Sequence, residues 1–439
     1  MSTDVQAPDP APAAPADTVV RERAPLSLRP ISWRAPIGLT LVGVVSLVVF
    51  GLLARGDRTT TFAISTTTDF VEIAPVAVPS KVTAIVLSVV ALALAGYSTW
   101  ATSRRRPVGV WLPAVFGVAV VLALLTWAVA GKTQPLPLTG LLQGALFLSV
   151  PLVFGALSGL LCERSGIINI AIEGQLLAGA FLAATVGALT GSAYLGLLAA
   201  PLAGALVGLG LCFFAVRYLV DQIIVGVVLN VLVIGVTSYL FSTLLADNPD
   251  SFGGVPKLDT IAIPLLSRIP VLGPVLFQQN VLVYVMYAAV ALLQVMVFRS
   301  RWGLRMRAVG EHPKAADTVG IRVNATRVRN TVLGGAVAGL GGAFFTVASG
   351  LAFGKEMSGG KGYIALAAMI LGRWSPTGAL LAALLFGFAD NLQVVLGIIG
   401  TPIPSQLMLM TPYLATIFAV AGLVGRVRPP AAEGIPYVK

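Results

Sequence analysis

At 439 residues, 57% hydrophobic and only 11% charged, with mean hydropathy +0.91, the chain is no ordinary water-soluble protein, since soluble domains carry roughly 25% charged residues. Its net charge of +11 would suit a nucleic acid. However, Arg and Lys gather in short loops between apolar runs, as the positive-inside rule requires of a membrane protein, so no nucleic-acid partner is expected. The runs approach 20 residues, enough for a bilayer core of about 30 Å, and lack the alternation of a membrane β-barrel.

Residues 1–36, rich in Ala, Pro and Asp, read as a disordered cytoplasmic tail. Twelve spans are then predicted: 37–54, 82–101, 108–130, 138–161, 166–187, 194–216, 223–245, 281–298, 330–352, a short 362–372, 377–397 and 405–425. The expected fold is an all-α polytopic membrane protein of about 10–12 transmembrane helices, some of them broken. Its N-terminal transmembrane helices occupy 37–136, its core 137–428, and a cytoplasmic C-terminal tail 429–439. With both termini inside, 21 of the 29 Arg and Lys residues fall on the cytoplasmic side. The outer loop 246–280, punctuated by Pro, is expected either to lie on the membrane surface and cap the outer mouth or to serve only as a connector. The loop 299–329 is the sizeable polar segment facing the cytoplasm. No stretch is long and polar enough for a soluble catalytic domain, so a transport protein is expected rather than an enzyme. Its energy would come from an ion gradient or a partner. Cys162 and Cys212 read as small hydrophobes, and the single histidine, His312, excludes a multi-histidine metal site.

Two segments share a pattern. A small-residue helix (138–161), the polar break "CERSG" and "IINIAIEGQLLAGAF" match a Gly-rich helix (330–352), the break "GKEMSGGKG" and "YIALAAMILG". The first break falls inside and the second outside, as an inverted repeat requires. Gly204 with Gly208, and Gly335 with Gly339, have the spacing of close helix contacts. "GLAFGKEM" (Gly350 to Met357) resembles a phosphate-binding loop only superficially. It has three residues between its glycines, and Glu356 stands where Ser or Thr should bind the metal.

Two groups of residues carry the functional expectation. "EHPKAADTVGI" (Glu311 to Ile321) reads as a short helix begun at His312–Pro313, propagated by Ala315 and Ala316, and ended by Gly320. It would dock a cytoplasmic partner, the alternative being a basic loop tethered to anionic lipid. Polar residues inside the spans are functional candidates because hydrocarbon penalises them: Gln143, Asn169, Glu173, Gln175, Asn230, Asp390, Asn391 and Gln393. Each could line a substrate path or satisfy broken-helix backbone.

"GLRMRAVGEHPKAADTVGIRV", "GKGYIALAAMILGRWSPTGALLAALLFGFADNLQ" and "LSGLLCERSGIINIAIEGQLLAGAF" closely resemble the permease subunits of ABC importers for branched-chain amino acids, ribose-type sugars and nucleosides, nearest the nucleoside (guanosine-type) branch. The resemblance covers about residues 138–425. It implies that Glu311, His312, Pro313, Lys314, Ala315, Ala316 and Gly320 form the coupling helix seated on an ATP-binding subunit. It also implies alternating access, with ATP and Mg in that partner and no cofactor in this chain. A second permease, similar or identical, and an extracytoplasmic binding protein, lipid-anchored or free, complete the implied assembly in the plasma membrane. Asn169, Glu173, Gln175, Asn230, Asp390 and Asn391 are the candidates for the path. The alternative is an ion-coupled secondary transporter with Glu173 or Asp390 as proton carrier.

Overall fold

In a bilayer the backbone has no water to bond, so each apolar run satisfies its own N–H and C=O groups as a helix. The protein, a computed structural model, is described for residues 32–54, 56, 58–65, 72–109, 111–401, 403–404, 406–407, 410 and 428–439. Helix α1 (Arg34–Ser46) continues through a π-helical turn (Leu47–Leu52) to strand β1 (Thr59–Ala63). Strand β2 (Val76–Pro79), α2 (Ser80–Ser103), α3 (Trp111–Ala128) and β3 (Leu136–Pro137) follow. The three helices pack on one another, and β1 pairs antiparallel with β2 and parallel with β3. This small sheet ties the N-terminal helices to the rest of the chain through a cluster that includes Phe62, Leu136, Leu141 and Leu392.

The remaining membrane helices are α4 (Leu138–Glu163), α5 (Ile172–Thr190), α6 (Ala193–Cys212, with a π turn to Arg217) and α7 (Gln222–Leu240, with a π turn to Leu245). The segment 246–280 folds over one end of the bundle as α8 (Pro249–Phe252), strand β4 (Thr260–Ala262), α9 (Leu272–Phe277) and strand β5 (Gln278–Asn280). Next come α10 (Val281–Arg299), α11 (Arg301–Glu311), α12 (Pro313–Thr318), α13 (Val323–Gly342), α14 (Lys361–Leu371) and α15 (Pro376–Ile399). Among the described residues nine helices are long and apolar enough to cross a membrane, and α14 is a shorter apolar helix. The all-α polytopic fold is therefore as expected.

Local signals set the boundaries. Asp221 accepts from the N–H of Ile223 (2.8 Å) and Ile224 (3.1 Å) to open α7, and Ser375 caps α15 ahead of Pro376. Gly191 and Gly400, both left-handed, end α5 and α15.

Three expected elements are corrected. The fifth span starts at Ile172 rather than 166, because 164–171 form turns and irregular backbone. The ninth is α13, which begins seven residues early and ends ten early, before a turn and irregular backbone at 343–360. The loop 299–329 holds two helices, α11 and α12, rather than one short helix. Nearly all of the last predicted span, 405–425, and of the N-terminal tail lies outside the described residues.

The core is built by exchange between two triplets. α13 packs against α5 and α6, while α4 packs against α14 and α15, so the first helix of each triplet lies against the second and third of the other. That exchange interleaves the two triplets. The breaks lie at opposite ends: Arg164 approaches Gly310 beside the 299–329 loop, whereas Gly350 approaches Lys257 at the far end. The two Gly pairs meet as expected. A methyl group on Gly204 would collide with the Gly335 carbonyl, and one on Gly339 with the Ala200 carbonyl, so α6 and α13 run backbone to backbone.

Candidate functional site: a stitched centre and a coupling end

The centre lies where the starts of α5 and α14 meet. Glu173, in the first turn of α5, is 5% exposed. Its carboxylate accepts the Ser358 hydroxyl (2.6 Å) and the backbone N–H groups of Gly360 (2.8 Å) and Gly362 (2.6 Å). It therefore caps α14 from another helix, at the end where the helix dipole favours negative charge. Only glycine suits position 362, because a methyl there would collide with the Glu173 backbone. The adjoining Lys361 pairs with Asp390 of α15.

Asn230 of α7 serves the first break with both ends of its amide. Its oxygen accepts from Gly174 N–H (2.8 Å), and its nitrogen donates to the Ile170 carbonyl (2.9 Å) and the Tyr363 hydroxyl (3.2 Å). Asn169 and Gln175 bond each other and Ser158 in a closed, fully buried set. Asn391 donates to the Leu141 carbonyl (2.8 Å). The six residues expected along a path are thus all engaged within the protein. The structure brings Asn169, Glu173, Gln175 and Asn230 together around the two breaks and Asp390 beside them. Asn391 stands apart on the α4–α15 contact.

At the loop end, Arg164 donates to the Trp374 carbonyl (3.1 and 2.9 Å), and the Trp374 indole donates to Glu163 (2.5 Å). These bonds hold the left-handed turn at Arg373–Trp374 between α14 and α15. Burial lowers the Arg164 guanidinium below its ordinary value, neighbouring Arg307 adds to this, and Glu311 opposes it.

The residues expected to couple divide into two sets. His312, Lys314, Ala315 and the Gly320 turn are exposed, with Pro313 half-buried. Ala316, expected on the contact face, instead points inward. It is 3% exposed and packs with Val309, Val323 and Tyr437. Glu311 accepts from Ala431 N–H (3.3 Å) in the C-terminal tail.

That tail, 428–439, is a strap that sequence reasoning missed. Ala432 N–H bonds the Gly310 carbonyl (2.9 Å), Arg327 donates to the Ile435 carbonyl (2.9 Å), and Lys439 lies 3.8 Å from Asp317. Burial pushes the Glu433 carboxyl above its ordinary 4.5, and a hydrogen bond with Glu163 moderates the rise. Also missed was Val319, 75% exposed at the tip of the loop. A bulky apolar residue just before the terminating glycine was the available signal.

The comparisons with known proteins agree with this architecture. The family described as "Branched-chain amino acid transport system / permease component" matches residues 141–424. The chain belongs to that family. It is 37% identical to the guanosine ABC transporter permease protein NupQ of Bacillus subtilis over 308 residues, 68% of this chain and 96% of the relative. It is also 37% identical to the nucleoside ABC transporter permease protein NupC of Lactococcus lactis, over 67% of this chain and 95% of the relative. The putative glucose ABC transporter permease protein TsgC13 of Haloferax volcanii is 30% identical over 65% of this chain and 92% of the relative. No solved structure matches at comparable significance.

Proposed function

We propose that the chain is a permease subunit of an ATP-driven ABC importer whose cargo is a nucleoside. The observation that carries the reading is the match, at 37% identity over 68% and 67% of this chain, to permeases named for guanosine and for nucleosides. The free face of α12, made by His312, Lys314, Ala315, Thr318 and Val319, suits insertion into a groove of an ATP-binding subunit. Glu311 and Ala316 hold that helix to the tail and core behind it. ATP and Mg belong to the partner, and closure of the partner reaches this chain as rigid-body displacement, giving alternating access. A second permease, similar or identical, completes the path, and an extracytoplasmic binding protein delivers the cargo. Both termini and the 299–329 loop face the cytoplasm, and the chain sits in the lipid of the plasma membrane.

The ion-coupled alternative is disfavoured by the state of the two carboxylates. Glu173 accepts three donors and Asp390 is paired with Lys361, so neither is a lone group waiting for a proton. The test is uptake of labelled guanosine into proteoliposomes holding the assembled complex, with ATP supplied to the ATPase side. Uptake should require ATP and stop with vanadate. Uptake driven by a proton gradient without ATP would overturn the reading, and uptake of glucose in place of guanosine would reassign the cargo.

A further inference from the structure

Most polar side chains in the spans are used by the fold. Two amides are not. Gln143, in the second turn of α4, and Gln278, at the start of β5, are half-buried and make no hydrogen bond among the described residues. Both line one cavity of about 320 Å³ at the far end of the bundle, between α4 and the 246–280 segment. Gln393 is likewise unbonded but does not line this cavity.

The cavity wall is firmly made. β4 and β5 pair from Thr260↔Asn280 to Ala262↔Gln278, and Leu258 N–H bonds the Val347 carbonyl (2.8 Å). The neighbouring amides are already committed: Gln279 donates to the Val275 carbonyl (2.8 Å), and Asn280 caps α10 by accepting from Val283 N–H (3.2 Å). One turn deeper than Gln143, and on the same helix face, Phe147 also lines the cavity. Its ring stands 4.7 Å from that of Phe344.

We infer that this cavity is where the permease receives the base of its nucleoside cargo, with Gln143 and Gln278 reading the polar edge and Phe147 lying against the ring face. The inference rests on the nucleoside reading above. An amide presents a donor and an acceptor side by side, the pairing that suits the edge of a purine. An aromatic ring stacks on any base. The volume is at the small end of ligand pockets, enough for a compact solute. A zwitterionic amino acid fits poorly, because Lys257 is the one charged side chain among the lining residues and no carboxylate answers an ammonium group. Two free amides and no fixed counter-charge favour brief, weak binding, which suits a station that must also release its cargo.

The test uses the assembled transporter in proteoliposomes. Gln143→Leu and Gln278→Leu should each lower the guanosine uptake rate at saturating binding protein by about 5- to 10-fold, the loss of a hydrogen bond or two. Assembly with the ATPase should be unchanged. Because a variant could also fail to fold, the wild-type complex is labelled with photoactivated 8-azidoguanosine. Label should fall on peptides from 138–150 or 257–280 and be displaced by guanosine but not by leucine. Uptake within twofold of wild type in both variants, or label confined to other segments, overturns the cavity assignment alone. Absence of guanosine uptake by the wild type overturns the nucleoside reading and the cavity with it.

Discussion

The two helix breaks face the same difficulty and meet it with different chemistry. The break after α4 leaves both an acceptor, the Ile170 carbonyl, and a donor, the Gly174 N–H, and one amide, Asn230, serves both. At the break before α14 three donors, from Ser358, Gly360 and Gly362, converge on one carboxylate, which serves all three. The composition of the orphaned groups thus dictates the side chain, since an amide has two polarities and a carboxylate has one.

The strongest way to break that comparison is Glu173→Leu. It leaves two buried N–H groups and a hydroxyl without an acceptor, each worth about 1–3 kcal/mol. A loss of at least about 3 kcal/mol is expected, read as a lower melting temperature of the purified protein and failure of uptake. Gly339→Leu acts on the contact that holds the triplets together. Overpacking costs typically about 1–3 kcal/mol, and the upper end is expected because the obstacle is backbone.

Asn230→Asp sharpens the contrast. It keeps an acceptor for Gly174 but removes the donor to Ile170, for a loss of about 1–2 kcal/mol by the same melting measurement. A larger loss than at Glu173 would refute the proposed division of labour. At the loop end, Ala316→Leu should release the strap, visible as faster proteolysis of 428–439. Val319→Asp should change stability by less than about 0.5 kcal/mol while reducing ATP-driven uptake.

The smallest effect is that of pH on the strap. A buried carboxyl with a raised pKa favours the docked state when protonated. Docking is therefore firmest below the ordinary 4.5 of Glu433 and loosens as pH rises through its raised value. Hydrogen exchange at 431–437 should follow that trend, and Glu433→Gln should flatten it.

Much of this was legible in the chain itself. An acid in the apolar run after "CERSG" announces broken backbone, and the two glycine pairs announce close helices. Their partners were not legible, because Ser358 lies 185 residues from Glu173 and nothing local points to it. Helix α12 could be read from Pro313, the alanines and Gly320. Which of Ala315 and Ala316 faces outward could not, since Tyr437, more than 100 residues on, decides it. The strap was invisible for a related reason: it docks largely through backbone groups, at Ala431, Ala432 and Ile435, which carry no signature of residue type. Gln143 stood out within a span, whereas Gln278 lay in a loop where a polar residue draws no notice.

The Glu173 junction also bears on stiffness. Its three bonds cross from one triplet to the other near the middle of the bundle, flanked by the Lys361–Asp390 pair and the Asn230–Tyr363 bond. Parting the triplets along that seam would strip a carboxylate of every donor at once, in surroundings that offer no replacement. The cheaper deformation moves the chain as a single block, with the displacement taken up at its outer faces.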